Sequence, residues 1–184
     1  MASGEPKHCE PKPKPVSPIN LFKVDLLPRV LLTTTAAVAV AVMVSSQETK
    51  TFGGLISIDA RFNYSPALIY FVVANSVACL YGVFTTLASF LCVSKPSPAT
   101  ELLFILSLFD TLMVGVVASA TGAGASIAYI GLKGNSHVGW LQICNFYGKF
   151  CRHVGISIAF SLVASVALIV LVSISAYSLH RRST

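Results

Sequence analysis

Two charged side chains stand inside otherwise apolar stretches of this 184-residue chain, Arg29 in the first stretch and Asp110 in the third. An ion alone in hydrocarbon is costly, so opposite charges on different stretches predict helices that pack together and neutralise one another. Counted from the same membrane face, Asp110 lies about nine residues deep and Arg29 about four, a difference of roughly 7 Å at 1.5 Å per residue. Helix side chains lean toward the N-terminus and a guanidinium is long, so the two can meet. The competing reading has Arg29 snorkel to the headgroups and Asp110 protonated or paired elsewhere. Intramembrane charge also marks ion paths, which makes a small channel, a transporter or an accessory subunit the alternative function. One acid and one base that cancel each other favour a structural role.

A second pair is Cys144 and Cys151, in the segment between the third and fourth apolar stretches. On one straight helix, seven residues apart, they would be separated by about 10 Å. That exceeds the roughly 7 Å between Cα atoms that a disulfide tolerates, so bonding requires a bent loop; two free thiols at the membrane edge are the alternative. Cys79 is mid-span and reads as a small packing residue. Cys9 and Cys92 lie where a thiol can be acylated, although an inert thiol is the favoured reading of both. His137 and His153 have no zinc-ligand spacing.

The elements that position these residues follow from composition. With 54% hydrophobic and 11% charged residues and a mean hydropathy of +0.76, the chain is too apolar for a soluble domain. Its apolar stretches fall at about residues 26–45, 66–93, 101–129 and 154–179, each long enough to cross a bilayer that needs about 20 helical residues. The fold class expected is an all-α membrane protein, a four-transmembrane-helix bundle running up-down-up-down over residues 25–182. Residues 1–24, with Pro6, Pro11, Pro13, Pro15 and Pro18 interleaved with lysines, read as a disordered cytosolic tail without a cleavable signal. Pro96 and Pro98 stop helices and turn the second and third spans into a hairpin. The first outer loop, with Gly53, Gly54 and alternating apolar residues, suits a short strand-like piece. In it, Asn63 opens a weak glycosylation acceptor.

With both termini inside, the inner flanks carry seven Lys and Arg residues and the outer flanks five, a narrow bias in favour of cytosolic termini. The +6 net charge is scattered along membrane flanks without a stacking platform, which fits attraction to the lipid bilayer and no nucleic acid. Small and weakly polar residues recur at helical spacing. Asn75, Cys79, Gly82, Thr86 and Ser89 share one face of the second span. Gly115, Ser119, Gly122 and Ser126 form a stripe on the third, pointing well away from Asp110. Such faces let backbones approach and hydroxyls bond across. The stripe is expected to join a second copy, with Gly82 as the next candidate; the plainer reading packs both faces inside one bundle. No Cys-x-x-Cys pair, in-span histidine, catalytic triad, phosphate loop or carboxylate cluster is visible, so no catalytic residue, metal or cofactor is expected.

The chain resembles the Casparian strip membrane domain protein family of plants, in its wider CASP-like group, from about Phe22 to Arg182. The likeness rests on Arg29, on YSPALIYFVVAN from Tyr64 to Asn75, on Asp110, on WLQIC from Trp140 to Cys144 and on FCR from Phe150 to Arg152. It implies a four-span plasma-membrane protein with both ends cytosolic, related in architecture to MARVEL domains. It also implies self-association or mixed oligomers with related membrane proteins. The best-known members form immobile platforms that exclude other membrane proteins and organise local cell-wall modification, which makes a non-enzymatic scaffold the expected function. The first outer loop departs from the longer aromatic and acidic signature of endodermal members.

Overall fold

The computed structural model describes residues 18–52, 56–92 and 100–183. The segment containing Cys9, the Gly53-Gly54 pair and the segment with Pro96 and Pro98 lie outside the described residues, as does the side chain of Cys92. Four helices, α1 (Pro18–Val44), α2 (Pro66–Cys92), α3 (Thr100–Lys133) and α4 (Gly148–Ser183), carry the chain. All four hold a segment long and apolar enough to cross a membrane: Leu26–Val44, Pro66–Ser89, Phe104–Lys133 and Gly148–Ser178. The first helix starts at Pro18, inside the stretch expected to be tail. The fixed φ of proline suits the first position of a helix, where its missing N–H costs nothing.

Helix ends follow local chemistry. Pro66 opens α2, and the Ser65 carbonyl accepts from the N–H groups of Leu68 and Ile69. Lys133 in the last turn of α3 complements the negative end of the helix. Gly134 then takes φ +65° and donates its N–H to the Ile130 carbonyl at 2.7 Å. A side chain there would meet the Trp140 carbonyl 2.7 Å away, so the position demands glycine. Between α1 and α2 the strand-like piece is a full antiparallel pair, β1 (Gln47–Phe52) with β2 (Ile56–Arg61), in the register Gln47 opposite Arg61.

Each helix packs on two neighbours, α1 and α3 both contacting α2 and α4. The buried apolar residues form two layers. One contains Leu32, Ala36, Ala78, Met113, Val117 and Leu168; the other contains Ala39, Met43, Leu68, Phe71, Val154 and Ile158. Lipid supplies no hydrophobic drive between helices, so alanines at these contacts matter by letting backbones close up.

The face of α2 with Asn75 and Gly82 turns into this interior. Gly82 is buried, and a Cβ added there would clash with Thr33 Oγ1 on α1. Gly82 is therefore a packing site within one chain and is not available to a second copy, because α1 already occupies its face. Gly82→Leu is expected to overpack the α1–α2 contact and cost about 1–3 kcal/mol, read as a lower unfolding midpoint of the detergent-purified protein.

Candidate functional site, a polar interior with a clasped end

Polar side chains sit in two levels of the bundle. Near the start of the apolar span Leu26–Val44 of α1, Arg29 Nη2 lies 3.7 Å from Asp110 Oδ2, with the side chains 3% and 0% exposed. The contact joins α1 to α3 across the diagonal of the bundle. Tyr81 on α2 donates from Oη to Asp110 Oδ1 at 2.6 Å, so the carboxylate is held from two helices.

Between the apolar layers, Ser161 on α4 donates to Asn75 Oδ1 on α2 at 2.9 Å and lies 2.7 Å from Thr121 Oγ1 on α3. Asn75 Nδ2 returns to the Phe71 carbonyl at 2.9 Å. One turn toward the hairpin end, Ser157 donates to the Ala39 carbonyl of α1 at 2.5 Å. Every helix thus contributes to a hydrogen-bonded interior, and buried polar groups with partners specify one arrangement of helices.

The other end is clasped. Cys144, in the 3-10 turn Ile143–Asn145, is disulfide-bonded to Cys151 in the first turn of α4, with Cα atoms 5.7 Å apart. The chain bends between them at Tyr147, which is buried. The Asn135 and Trp140 backbones pair at 2.9 and 3.0 Å, and Asn135 Oδ1 accepts from the His137 N–H. The first turn of α4 has no acidic residue of its own. Glu48 of β1 supplies the missing charge, its Oε2 accepting from the Phe150 N–H at 3.0 Å. That backbone donor, opposed by desolvation and aided by Lys50 at 3.3 Å, holds the Glu48 carboxyl below the ordinary glutamate range.

Sequence reasoning brought Arg29 to Asp110 and named Asn75. It missed Tyr81, Thr121, Ser157, Ser161 and Glu48. Thr121, eleven residues after Asp110 and so on the same face of α3, could have been found by helical spacing, whereas Ser157 and Ser161 lie on α4, where no in-span charge or amide marks the inward face. Glu48 carries no local signal, because its partner is 102 residues away.

The stripe on α3 behaves differently. Gly115, Ser119, Gly122 and Ser126 are all exposed, and nothing lies within 4 Å of a Cβ added at Gly115 or Gly122. The reading that both faces of α3 pack inside one bundle is corrected by this exposure, since the inward face is the one carrying Asp110, Met113, Val117 and Thr121. Within the chain the stripe is touched through Ser119, 2.9 Å from Tyr70 Oη.

The model of the Casparian strip membrane protein domain matches residues 20–167. The chain belongs to that family. It is 51% identical over 175 residues to CASP-like protein 1D1 of Musa acuminata, covering 91% of this chain and 92% of the relative. It is also 51% identical over 163 residues to CASP-like protein 1D1 of Vitis vinifera, with 86% and 78% covered. Over 158 residues it is 49% identical to CASP-like protein 1D1 of Arabidopsis thaliana, with 84% and 82% covered. No solved structure matches the chain. Family membership and four apolar helices make this a multi-pass membrane protein.

Two outcomes follow from the geometry. Tyr81→Phe removes a donor from a buried carboxylate and is expected to cost about 1–2 kcal/mol, measured by unfolding in mixed micelles; a loss under about 0.3 kcal/mol would show that Tyr81 does not hold Asp110. Because the Glu48 pKa is depressed on folding, its stabilisation is present above its ordinary value of 4.5 and is lost as pH falls through the lower folded value. The difference in melting temperature between wild type and Glu48→Gln should accordingly be constant from pH 7 to about 5 and shrink at more acidic pH.

Proposed function

We propose that this CASP-like protein is a non-enzymatic plasma-membrane scaffold. Copies assemble laterally, with themselves and with related family members, into platforms that hold other proteins out and organise local cell-wall modification. Both termini face the cytosol, and the hairpin and the disulfide-clasped loop face the wall.

The observation that carries the reading is the contrast between the two faces of α3. The inward face is committed to the bundle, with Asp110 fully buried and Thr121 bonded to Ser161. The outward stripe leaves Gly115, Gly122 and Ser126 uncovered, with Ser119 met by Tyr70 of the same chain and Ser126 Oγ on the Gly122 carbonyl at 2.9 Å. Helices associate in lipid through such surfaces, because close backbone approach replaces the hydrophobic drive that the bilayer lacks. Conduction is the weaker reading, since Arg29 and Asp110 are closed off from solvent and lie close enough to neutralise each other.

Gly122→Leu should reduce crosslinked oligomer several-fold and raise the mobile fraction of a fluorescent fusion after photobleaching, while expression and membrane delivery stay unchanged. There is room for the larger side chain, so the folded monomer should survive. Unchanged oligomer and mobility would place the interface off this stripe. Ion flux through the reconstituted protein would favour the channel instead.

A further inference from the structure

At the clasped end, a half-open groove of about 810 Å³ runs between the ends of α3 and α4, the 139–144 segment and Leu68 of α2. Its walls are apolar: Ala128 and Leu132 on one side, Val154 and Ile158 on the other, with Trp140 and Leu141 as a lip. The Cys144–Cys151 disulfide is part of the lining and fixes the lip to α4.

We propose that this groove is a binding site for one acyl chain of a phospholipid from the surrounding bilayer. Three observations select that occupant. First, the helical walls belong to the membrane-spanning segments Phe104–Lys133 and Gly148–Ser178, so the groove is continuous with the surface that lipid already covers. Residues 150–158 give it a length of about 12 Å along the axis, leading from the span ends into the hydrocarbon as an acyl chain lies.

Second, the lip is apolar although it belongs to a loop. Trp140 is 56% and Leu141 78% exposed. A tryptophan and a leucine on an irregular loop at the end of a span sit favourably at the headgroup boundary and unfavourably in water. Third, an exposed cation stands at the end of the α3 wall, where Lys133 in the last turn follows the groove residue Leu132. It suits the phosphate of the lipid whose chain is in the groove. The disulfide acquires a role here beyond the loop itself, as it keeps the lip from swinging off the chain.

The test uses the full-length protein in phosphatidylcholine vesicles containing a phosphatidylcholine with a photoactivatable group in one acyl chain, with labelled peptides identified by mass spectrometry. Labelling of residues 140–144 and 150–158 should saturate at low probe fraction. Labelling around Leu80 and Phe84, exposed on α2, should rise in proportion to the probe. Gly155 lines the groove and has nothing within 4 Å of an added Cβ, so Gly155→Phe places a ring in the space of the chain. It should lower groove labelling at least about fivefold, equivalent to about 1 kcal/mol of binding, and leave α2 labelling unchanged. Proportional, non-saturating labelling of the groove in the wild type would overturn the proposal, whatever the variant does. So would joining of the groove to peptides of a second copy by a bifunctional crosslinker in the same vesicles, with lipid labelling absent from the groove.

Discussion

The structure depends on a charge pair that hydrocarbon will not tolerate unpaired. Arg29 on α1 and Asp110 on α3 stand on opposite corners of the bundle and lie 3.7 Å apart in its interior. The two helices must therefore stay within reach across the middle, at one axial offset, with α2 and α4 on either side. A buried ion pair is poor evidence of stability, because desolvation offsets most of the attraction. Its strength is in discrimination: a bundle slid by one turn would strand both charges in lipid or alkyl surroundings. Tyr81 sharpens that discrimination by adding α2 to the same carboxylate.

Above this level the interior alternates. An apolar layer around Leu32 and Val117 is followed by the Asn75, Thr121 and Ser161 cluster, then by a second apolar layer around Phe71 and Ile158. Within a membrane, hydroxyl and amide bonds contribute modestly one at a time, and close helix approach contributes the rest. The hairpin end is closed by different means. A disulfide shapes the chain before α4, and Glu48 brings a carboxylate from β1 to the helix start, where the backbone N–H groups lack partners of their own. One end of the molecule is thus fixed by charge within the bilayer and the other by covalent and electrostatic ties at its surface.

Much of this was legible in the sequence. The number and placement of the spans followed from apolar length, because the bilayer imposes a thickness that few other constraints match. Arg29 and Asp110 stood out because in-span charges are rare. Cys144 and Cys151 required a bent chain, and a 3-10 turn provides it. The direction of faces was harder to read. Gly82 and Gly122 look alike as small residues at helical spacing, yet one lies buried against Thr33 and the other open to lipid. Small residues serve contacts within and between chains by the same physics, so type and spacing do not separate the two. Glu48 was illegible because nothing in a strand of mixed polar residues indicates a helix terminus 102 positions on.

The central claim is that Arg29 and Asp110 act as a unit that sets the arrangement of the helices. A double-mutant cycle with Arg29→Met and Asp110→Leu, read by unfolding free energy in mixed micelles, tests it most directly. Each single change leaves one ion buried and is predicted to cost about 3 kcal/mol or more, whereas the double change should recover most of that loss. Losses that simply add would contradict the account, showing two charges with separate partners and no pair holding the bundle in register.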